Sequence, residues 1–226
     1  MLIVGLGHKA RRGKDTATQA IIDAYGAQHD IRRFAFGDAL KHEVNAAALQ
    51  AGGMFNLFQE LTLHGAPLPN GKRLTLPDWV KYEANPVLDD PLCPLGKQRT
   101  LLQWWGSEYR RNACDKFYWV KALKAVLEVE QPTVALVPDV RFLNEYAWIK
   151  ANGGFTIRCE RTGFPDLETN SNHHSEHELD AVIFDYTITV NEGEVDVLKA
   201  DAVTVFNMIV HSLTMQEETE PVDVAA

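Results

Sequence analysis

The sequence predicts an α/β protein in which a parallel sheet is covered by helices on both faces. Short apolar segments typical of buried strands alternate along the chain with longer segments of helical spacing. The glycine-rich and charged motifs also follow directly after predicted strands. Ligands of such folds bind at the carboxyl ends of the strands, so we expect the motifs to converge on one crevice.

The predicted elements leave two long polar stretches. Predicted strands cover residues 2–6, 31–36, 133–137, 155–159 and 187–190, and predicted helices cover 14–29, 38–50, 98–110, 115–129, 143–151 and 194–214. Residues 51–97 are rich in Gly, Pro, Asn and Leu and have little periodicity, so we interpret them as an insertion within a single domain, 1–215. The polar, His-rich segment at about 161–178 has the composition of a mobile lid, and the acidic residues 216–226 predict a disordered tail.

Length, charge and cysteine content argue against several classes of protein. The 226 residues fit one α/β domain with an insertion. No apolar run approaches the ~20 residues of a membrane helix, and we expect no membrane partner. The net charge of −9 argues against a nucleic-acid partner, whose binding surfaces are normally basic. Cys93, Cys114 and Cys159 lack CxxC spacing, which argues against a disulfide framework or a zinc site and predicts a cytoplasmic location.

The segment 5–16, GLGHKARRGKDT, joins the first predicted strand to the first predicted helix. Backbone N–H groups at such a junction can bind phosphate oxygens, which predicts a phosphate loop and the P-loop NTPase fold. Lys14 would reach the β- and γ-phosphates of ATP, and Asp15 or Thr16 would help hold Mg²⁺. His8 stands where such loops have their first glycine, with Gly7 one place earlier. The alternative is an ordinary strand-to-helix turn that happens to contain basic residues.

A second cluster follows the strongly apolar strand 133–137. Asp139 stands at the end of this strand, where a carboxylate beside a phosphate loop could hold Mg²⁺ directly or through water. Arg141 could bind an anion through two parallel hydrogen bonds from its guanidinium group. The alternative is that Asp139 caps a helix and Arg141 is a surface residue.

Aromatic residues mark two predicted helix starts, at 99–106 and 115–121. Such residues are more often core than ligand platform, but Arg99, Arg110 and Arg111 lie among them, and a buried arginine usually needs an anion. We therefore consider a base stacked on Trp119 with its phosphate bound by Arg99. The segment 173–178, HHSEHE, could bind a metal, but no second ligand cluster accompanies it, and a lid is favoured. Arg158 and Arg161, just before the lid, could stabilise transition-state charge.

Five segments, in this order, resemble the bacteriophage deoxynucleoside monophosphate kinases, a branch of the P-loop nucleoside monophosphate kinases. They are GHKARRGKDT (7–16), FAFGDALK (34–41), RTLLQWWGSEYRRN with DKFYWVK (99–121), VPDVRFLNE (137–145) and HSEHELD (174–180). The resemblance covers nearly the whole chain. It implies a homodimeric enzyme that uses ATP and Mg²⁺ to convert deoxynucleoside monophosphates into diphosphates in the cytoplasm of an infected bacterial host.

The resemblance also implies roles for individual residues. Those that would bind the ATP phosphates are Arg11, Gly13, Lys14, Asp15 and Thr16. Those that would surround the acceptor are Asp38, Lys41, Arg99, Trp119, Asp139, Arg141 and Glu145. Lys14, Arg141 and Arg161 would act in catalysis, and Asp139 would complete the metal surroundings together with Asp15 or Thr16. The insertion 51–97 has no counterpart among the family's motifs, and it could set which base is accepted.

Two other functions compete with this one. The first keeps the phosphate loop and the kinase chemistry but changes the acceptor, to a phosphomevalonate-like molecule or to a modified base in DNA. A DNA acceptor would call for a basic groove, which the acidic charge disfavours. The second is a nucleotide-binding protein without turnover. The intact GKDT sequence and the arginines near strand ends argue against it, because a pure binder has less use for charge aimed at a moving phosphoryl group.

Overall fold

The computed structural model describes residues 1–80, 99–163 and 177–219. The chain divides into two compact units, one formed by Met1–Phe34 and Val129–Ala226 and the other by Ala35–Glu128. The second unit extends on both sides of the predicted insertion 51–97. Residues 81–97 of that insertion lie outside the described residues, and its place within a single domain stays a prediction.

The first unit is built on a five-stranded parallel sheet. Its strands are β1 (Leu2–Gly7), β2 (Ile31–Arg33), β5 (Val134–Val140), β6 (Phe155–Thr162) and β7 (Tyr186–Asn191), and its helices are α1 (Lys14–Tyr25), α6 (Leu143–Ala151) and α7 (Val195–Thr219). The strand order is β2-β5-β1-β6-β7, with every pairing parallel. The chain leaves β1 toward one edge and later crosses to the other side of β1. The carboxyl end of β1 is therefore the topological switch point, where α/β sheets bind ligands.

Helices cover both faces of this sheet, as the sequence predicts. Alternate side chains of β1 point to opposite faces. Val4 and Leu6 join the core formed with α1 and α7, in which Ile21 and Ile209 are fully buried. On the other face a Cβ atom at Gly5 would lie 2.5 Å from the Ile149 side chain of α6. Glycine at this position lets α6 approach the sheet closely.

The second unit is mainly helical. It contains α2 (Phe36–Gln50), α3 (Met54–Leu63), a short antiparallel hairpin of β3 (Ala66–Pro67) and β4 (Arg73–Leu74), α4 (Arg99–Gln103), a π-helix (Trp104–Cys114) and α5 (Tyr118–Glu130), whose last two residues belong to the first unit. Large aromatic side chains dominate its core. Trp104 is 1% exposed and stacks on Tyr109, with 5.8 Å between their ring centroids. Stacked aromatic pairs stabilise a core beyond the area they bury.

Several predicted boundaries need correction. The predicted strand 31–36 ends at Arg33, because α2 begins at Phe36. The predicted helix 98–110 is a short α-helix followed by the π-helix. Helix α7 continues to Thr219, so residues 216–219 of the predicted disordered tail are helical, and 220–226 lie outside the described residues. Of the predicted lid, residues 164–176 lie outside them too.

No helix in the described ranges is both long enough and apolar enough to cross a membrane.

Candidate functional site

The loop between β1 and α1 has an unusual backbone. His8, Arg11 and Gly13 have positive φ angles of 87°, 58° and 88°. Left-handed residues interspersed with others turn successive N–H groups toward one concavity, an arrangement that binds anions. His8 thus adopts a conformation that favours glycine, at the position where phosphate loops have one. Although His8 stands in place of the motif's glycine, its backbone has the left-handed conformation that a glycine would adopt there.

Lys14 is the first residue of α1 and lies beneath this loop. Only 6% of it is exposed. Its Nζ atom donates hydrogen bonds to the backbone carbonyls of His8, at 3.3 Å, and of Lys9. A buried ammonium must have polar partners, and here the loop itself supplies them. The charge of Lys14 is thereby held within the curve of the loop.

Gly13 is required at the N-terminus of α1 for two reasons. Its φ of 88° is strained for other residues, and a Cβ atom would lie 2.4 Å from Cδ2 of Leu198 on α7. As the N-cap residue, Gly13 supplies no side chain to cap this end of the helix. The first N–H groups of α1 are therefore directed, with the positive end of the helix dipole, toward the loop.

Asp15 and Thr16, the two candidates for a metal ligand next to Lys14, differ in exposure. The side chain of Asp15 is 81% exposed, and its Oδ1 lies 3.7 Å from Nε of Arg33. Thr16 is half-buried. A carboxylate and a hydroxyl both supply the oxygen ligands that Mg²⁺ prefers, and a distant pair with Arg33 leaves Asp15 able to accept a cation. The choice between the two stays open.

The end of β5 adjoins the loop between β1 and α1. The N–H group of His8 donates to the carbonyl of Val140 at 3.2 Å, and Gly7 is in register with Val140. Asp139 and Arg141, both partly buried, flank Val140. The structure therefore brings the second sequence cluster to the same end of the sheet as the loop, as the alternation of elements predicts.

Glu145 has a positioning role at this edge. It is 2% exposed, and its Oε2 accepts hydrogen bonds from the N–H groups of Arg141, at 2.8 Å, and Phe142, at 3.1 Å. The carboxylate holds the turn from β5 into α6, in the manner of a capping-box glutamate. A direct contact between Glu145 and the acceptor stays a prediction.

The turn at 177–182 includes the described residues of the HSEHELD segment, 177–180. It is attached to strand β6 and to the start of helix α6. Arg158 of β6 donates from Nη2 to the carbonyls of Leu179, at 2.9 Å, and Val182, at 2.6 Å. Glu178 accepts from the N–H group of Leu143 at 2.8 Å, at the start of α6. Arg158, which the sequence suggested for transition-state charge, is thus occupied in holding this turn.

His8 and Asp180 link the loop between β1 and α1 to the same turn. Nε2 of His8 lies 2.9 Å from Oδ1 of Asp180, and Nδ1 of His177 lies 3.1 Å from Oδ2. Burial lowers the pKa of His8 below its ordinary value of 6.5, although the hydrogen bond to Asp180 acts in the opposite direction. Burial would raise the pKa of Asp180, but the hydrogen bonds from His8 and His177 outweigh it and lower that pKa. At neutral pH the pair is therefore a neutral imidazole donating to a carboxylate.

Arg161, at the end of β6, also contacts the loop through its backbone. Its carbonyl accepts a hydrogen bond from Nη1 of Arg12 at 2.5 Å, and its own Nη2 lies 3.3 Å from Oε1 of Glu192. The exposed Arg11 is the loop's outermost arginine. Arg11 and Arg161 thus lie on or beside the loop between β1 and α1, and their roles toward ATP stay predictions.

The acceptor residues predicted in the second unit have varied surroundings. Asp38 and Lys41 lie on one face of α2, with 3.8 Å between Oδ1 of Asp38 and Nζ of Lys41, and both side chains are half-exposed. Arg99 begins α4. Trp119 is only 3% exposed, and its Nε1 donates to the carbonyl of Gly106 at 2.9 Å. This burial gives Trp119 a packing role, and a base stacked on its ring would require the side chain to be uncovered first.

Beside Trp119 lies a polar network that the sequence did not reveal. Glu43 of α2 accepts hydrogen bonds from Nε1 of Trp105 at 2.9 Å, from the Arg110 guanidinium, and from the Tyr118 hydroxyl at 2.9 Å. Burial and the bond to Glu43 raise the pKa of Tyr118 to about 12. Arg110 also lies over the Tyr109 ring, 4.2 Å from its centroid. Arg110 is therefore paired with the Glu43 carboxylate of the protein itself. The expectation that a buried arginine in this segment needs a bound anionic ligand is wrong for Arg110.

Sequence reasoning also missed Glu178 and Asp180 as partners of the site. Both belong to the HSEHELD segment, so the motif was visible, but the groups that they bind lie 35 and 172 residues away in the chain. The described residues contain no group of three His, Cys, Asp or Glu side chains suited to a metal ion. His173, His174 and Glu176 lie outside them. Among the described cysteines, Cys114 and Cys159 are free, and burial raises the pKa of Cys159 to about 12.

A scan against protein-family models and a search of curated proteins found no match to this chain.

Proposed function

We propose that the chain is an ATP-dependent phosphotransferase with a phosphate loop formed by residues 8–14. The observation that carries this proposal is the buried ammonium of Lys14, held by loop carbonyls at the N-terminus of α1 and at the switch point of a parallel sheet. A helix N-terminus, left-handed loop residues and a lysine together provide the groups that bind phosphates of a nucleotide. An ordinary strand-to-helix turn has no reason to bury a lysine.

The chain's own residues would divide the work as follows. The N–H groups of the loop and of the first turn of α1 would bind the β- and γ-phosphates, and Lys14 would exchange its carbonyl partners for phosphate oxygens. Arg141, the residue after β5, would bring positive charge to the transferring group, and Glu145 would hold its backbone in place. Arg161 would do the same from the end of β6. Such groups, fixed before the reaction, stabilise charge without reorganising during it.

Asp15 or Thr16, with Asp139, would hold Mg²⁺, since these residues offer oxygen ligands at the loop and at the neighbouring strand end. Bound there, the ion would neutralise charge on the β- and γ-phosphates.

For the acceptor we propose a deoxynucleoside monophosphate, on the basis of the five colinear segments that resemble phage enzymes. An ionised oxygen of its phosphate would form a bond to the γ-phosphorus of ATP. The bond between that phosphorus and the bridging oxygen would break, leaving its electron pair on ADP. Because the attacking oxygen is already ionised near neutral pH, no strong general base is needed.

The test is to incubate the purified protein with ATP and Mg²⁺ and, separately, each common deoxynucleoside and ribonucleoside monophosphate. Chromatography would measure ADP and the diphosphate product. We expect equal amounts of both with one or more deoxynucleotides. Binding of ATP without transfer to any of them would contradict the acceptor, and absence of ATP binding would contradict the phosphate loop.

A further inference from the structure

Of the two non-glycine residues with positive φ in the proposed phosphate loop, His8 and Arg11, His8 contacts a distant turn. His8 has a φ of 87°, a conformation that costs a residue with a Cβ atom free energy and that glycine adopts without cost. Such strain persists only where surrounding contacts fix the residue. The contacts of His8 are its N–H bond to Val140, at 3.2 Å, and its ring's bond to Asp180, at 2.9 Å.

Asp180 can fix His8 because its own position is fixed. Arg158 holds the carbonyls on both sides of it, at Leu179 and Val182, and also lies against the Phe184 ring. Glu178 ties the same turn to the start of α6 through Leu143. Asp180 therefore lies in a turn that is bonded to strand β6 and to helix α6. Its contact with His8 restrains the loop relative to these two elements.

The contact reaches Lys14 through one further bond. The carbonyl of His8 is an acceptor for Nζ of Lys14, at 3.3 Å. A change in the His8 backbone would therefore move both a loop N–H group and a partner of the buried ammonium. Holding binding groups in place before the ligand arrives reduces the entropy lost on binding.

We propose that Asp180 is a positioning residue for the phosphate loop: by binding the His8 side chain, it holds the left-handed backbone that glycine would otherwise supply. It does not touch the nucleotide. Its effect on nucleotide affinity rests on the proposed function, whereas its effect on the free loop does not.

The first measurement is hydrogen exchange of the backbone amides of residues 8–14 in the free protein, for wild type, Asp180→Ala and Asp180→Asn. We expect Asp180→Ala to raise loop exchange about tenfold, the factor corresponding to the strain of one left-handed residue. Asn keeps an oxygen that can accept from His8, so Asp180→Asn should fall between the two, and it keeps the test decisive should Asp180→Ala not fold. Asp185→Ala, which removes another hydrogen-bonded carboxylate of this unit, controls for general destabilisation.

The deciding comparison repeats Asp180→Ala in the His8→Gly background. Glycine needs no restraint, so there the loss of Asp180 should change loop exchange by less than about twofold, relative to His8→Gly alone. Equal effects of Asp180→Ala in the two backgrounds would overturn the proposal. So would wild-type exchange in Asp180→Ala, or equal loop exchange in Asp180→Ala and Asp185→Ala.

Calorimetric titration with ATP and Mg²⁺ separates this proposal from the proposed function. We expect Asp180→Ala to weaken ATP binding about tenfold in the wild-type background and not in the His8→Gly background. Should wild type bind no ATP while loop exchange responds as expected, the phosphate-loop function fails and the positioning role stands. Should wild type and Asp180→Ala bind ATP equally well, the positioning role fails and the function stands.

Discussion

The buried carboxylate of Glu145 accepts a hydrogen bond from the backbone N–H of Arg141 at 2.8 Å. The two residues belong to the turn that carries the chain out of β5, beside the loop between β1 and α1. A carboxylate that is 2% exposed needs such donors, and the turn needs an acceptor for its N–H groups. Stability and the placement of Arg141 therefore depend on one side chain.

Glu145→Ala should lower the free energy of unfolding by about 1–3 kcal/mol, because it leaves the N–H groups of Arg141 and Phe142 without their acceptor. Glu145→Gln keeps one carbonyl oxygen of similar position and should lose less. Urea denaturation followed by circular dichroism measures both. Equal losses for the two variants, or none for Glu145→Ala, would contradict the role assigned to this carboxylate.

Gly13 and Gly193 form a matched pair for separating strain from steric overlap. Both have left-handed backbones, with φ of 88° and 90°, but only at Gly13 would a Cβ atom meet another side chain, that of Leu198. Gly193→Ala should cost about 1–2 kcal/mol from backbone strain alone. Gly13→Ala should cost a further ~1–3 kcal/mol from overpacking, and should also weaken ATP binding.

Thermal or urea unfolding of the two alanine variants tests this difference, and titration with ATP tests the second part. A Gly13→Ala variant as stable as Gly193→Ala would show that α7 yields at Leu198 without cost.

Asp185 makes part of the stability depend on pH. Its carboxylate accepts from Lys150, at 2.7 Å, and from the N–H and hydroxyl of Thr156, each at 2.8 Å. Burial alone would raise its pKa, but these bonds outweigh it and lower the pKa below the ordinary value of 3.8. A carboxyl group whose pKa is lowered by folding stabilises the protein at any pH above the pKa that the group has in the unfolded chain. That stabilisation is lost as the pH falls through the lower pKa that the group has in the folded protein.

Asp185→Asn should therefore lose about 1–2 kcal/mol at neutral pH, a range reduced because water reaches part of the carboxylate. The difference from wild type should shrink below pH 3.8. Urea unfolding of both proteins at a series of pH values measures that difference. A difference that stays constant down to acid pH, or that grows, would contradict the role given to the Asp185 bonds.

How far the fold could be predicted depends on how local its signals are. The strand, loop and helix around Lys14 are encoded within about 25 residues, and the structure has strand and helix at 2–7 and 14–25. Helix α3 was missed although Met54, Leu57 and Leu61 have helical spacing, because the surrounding Gly, Pro and Asn residues suggested irregular structure. Strand β5 was predicted to end at Val137, before Pro138. It continues to Val140 through a register shift, in which Pro138 and Asp139 of β5 lie opposite the single residue Leu6 of β1. Such bulges are among the few places where a strand tolerates proline.

The candidate site divides in the same way. The loop between β1 and α1 and the Asp139–Arg141 segment each follow a strand, so their convergence at one end of the sheet could be predicted from the order of elements. The partners of His8 and Arg110 could not, because a residue's side-chain contacts across the fold leave no trace in its local sequence. The packing of Trp119 was equally hidden: the same aromatic spacing serves a core and a stacking platform.

The most direct test of the account is phosphoryl transfer by Lys14→Met, compared with wild type and with Lys199→Met. Lys199 is a half-exposed lysine on α7, and its Nζ lies 3.6 Å from Oδ1 of Asp196. Lys199→Met therefore makes the same chemical change as Lys14→Met, but outside the loop. With ATP, Mg²⁺ and the deoxynucleotide that wild type uses, we expect Lys14→Met to lose activity by on the order of a hundredfold or more while remaining folded, and Lys199→Met to match wild type. Turnover by Lys14→Met at the wild-type rate would contradict the assignment of residues 8–14 as a catalytic phosphate loop.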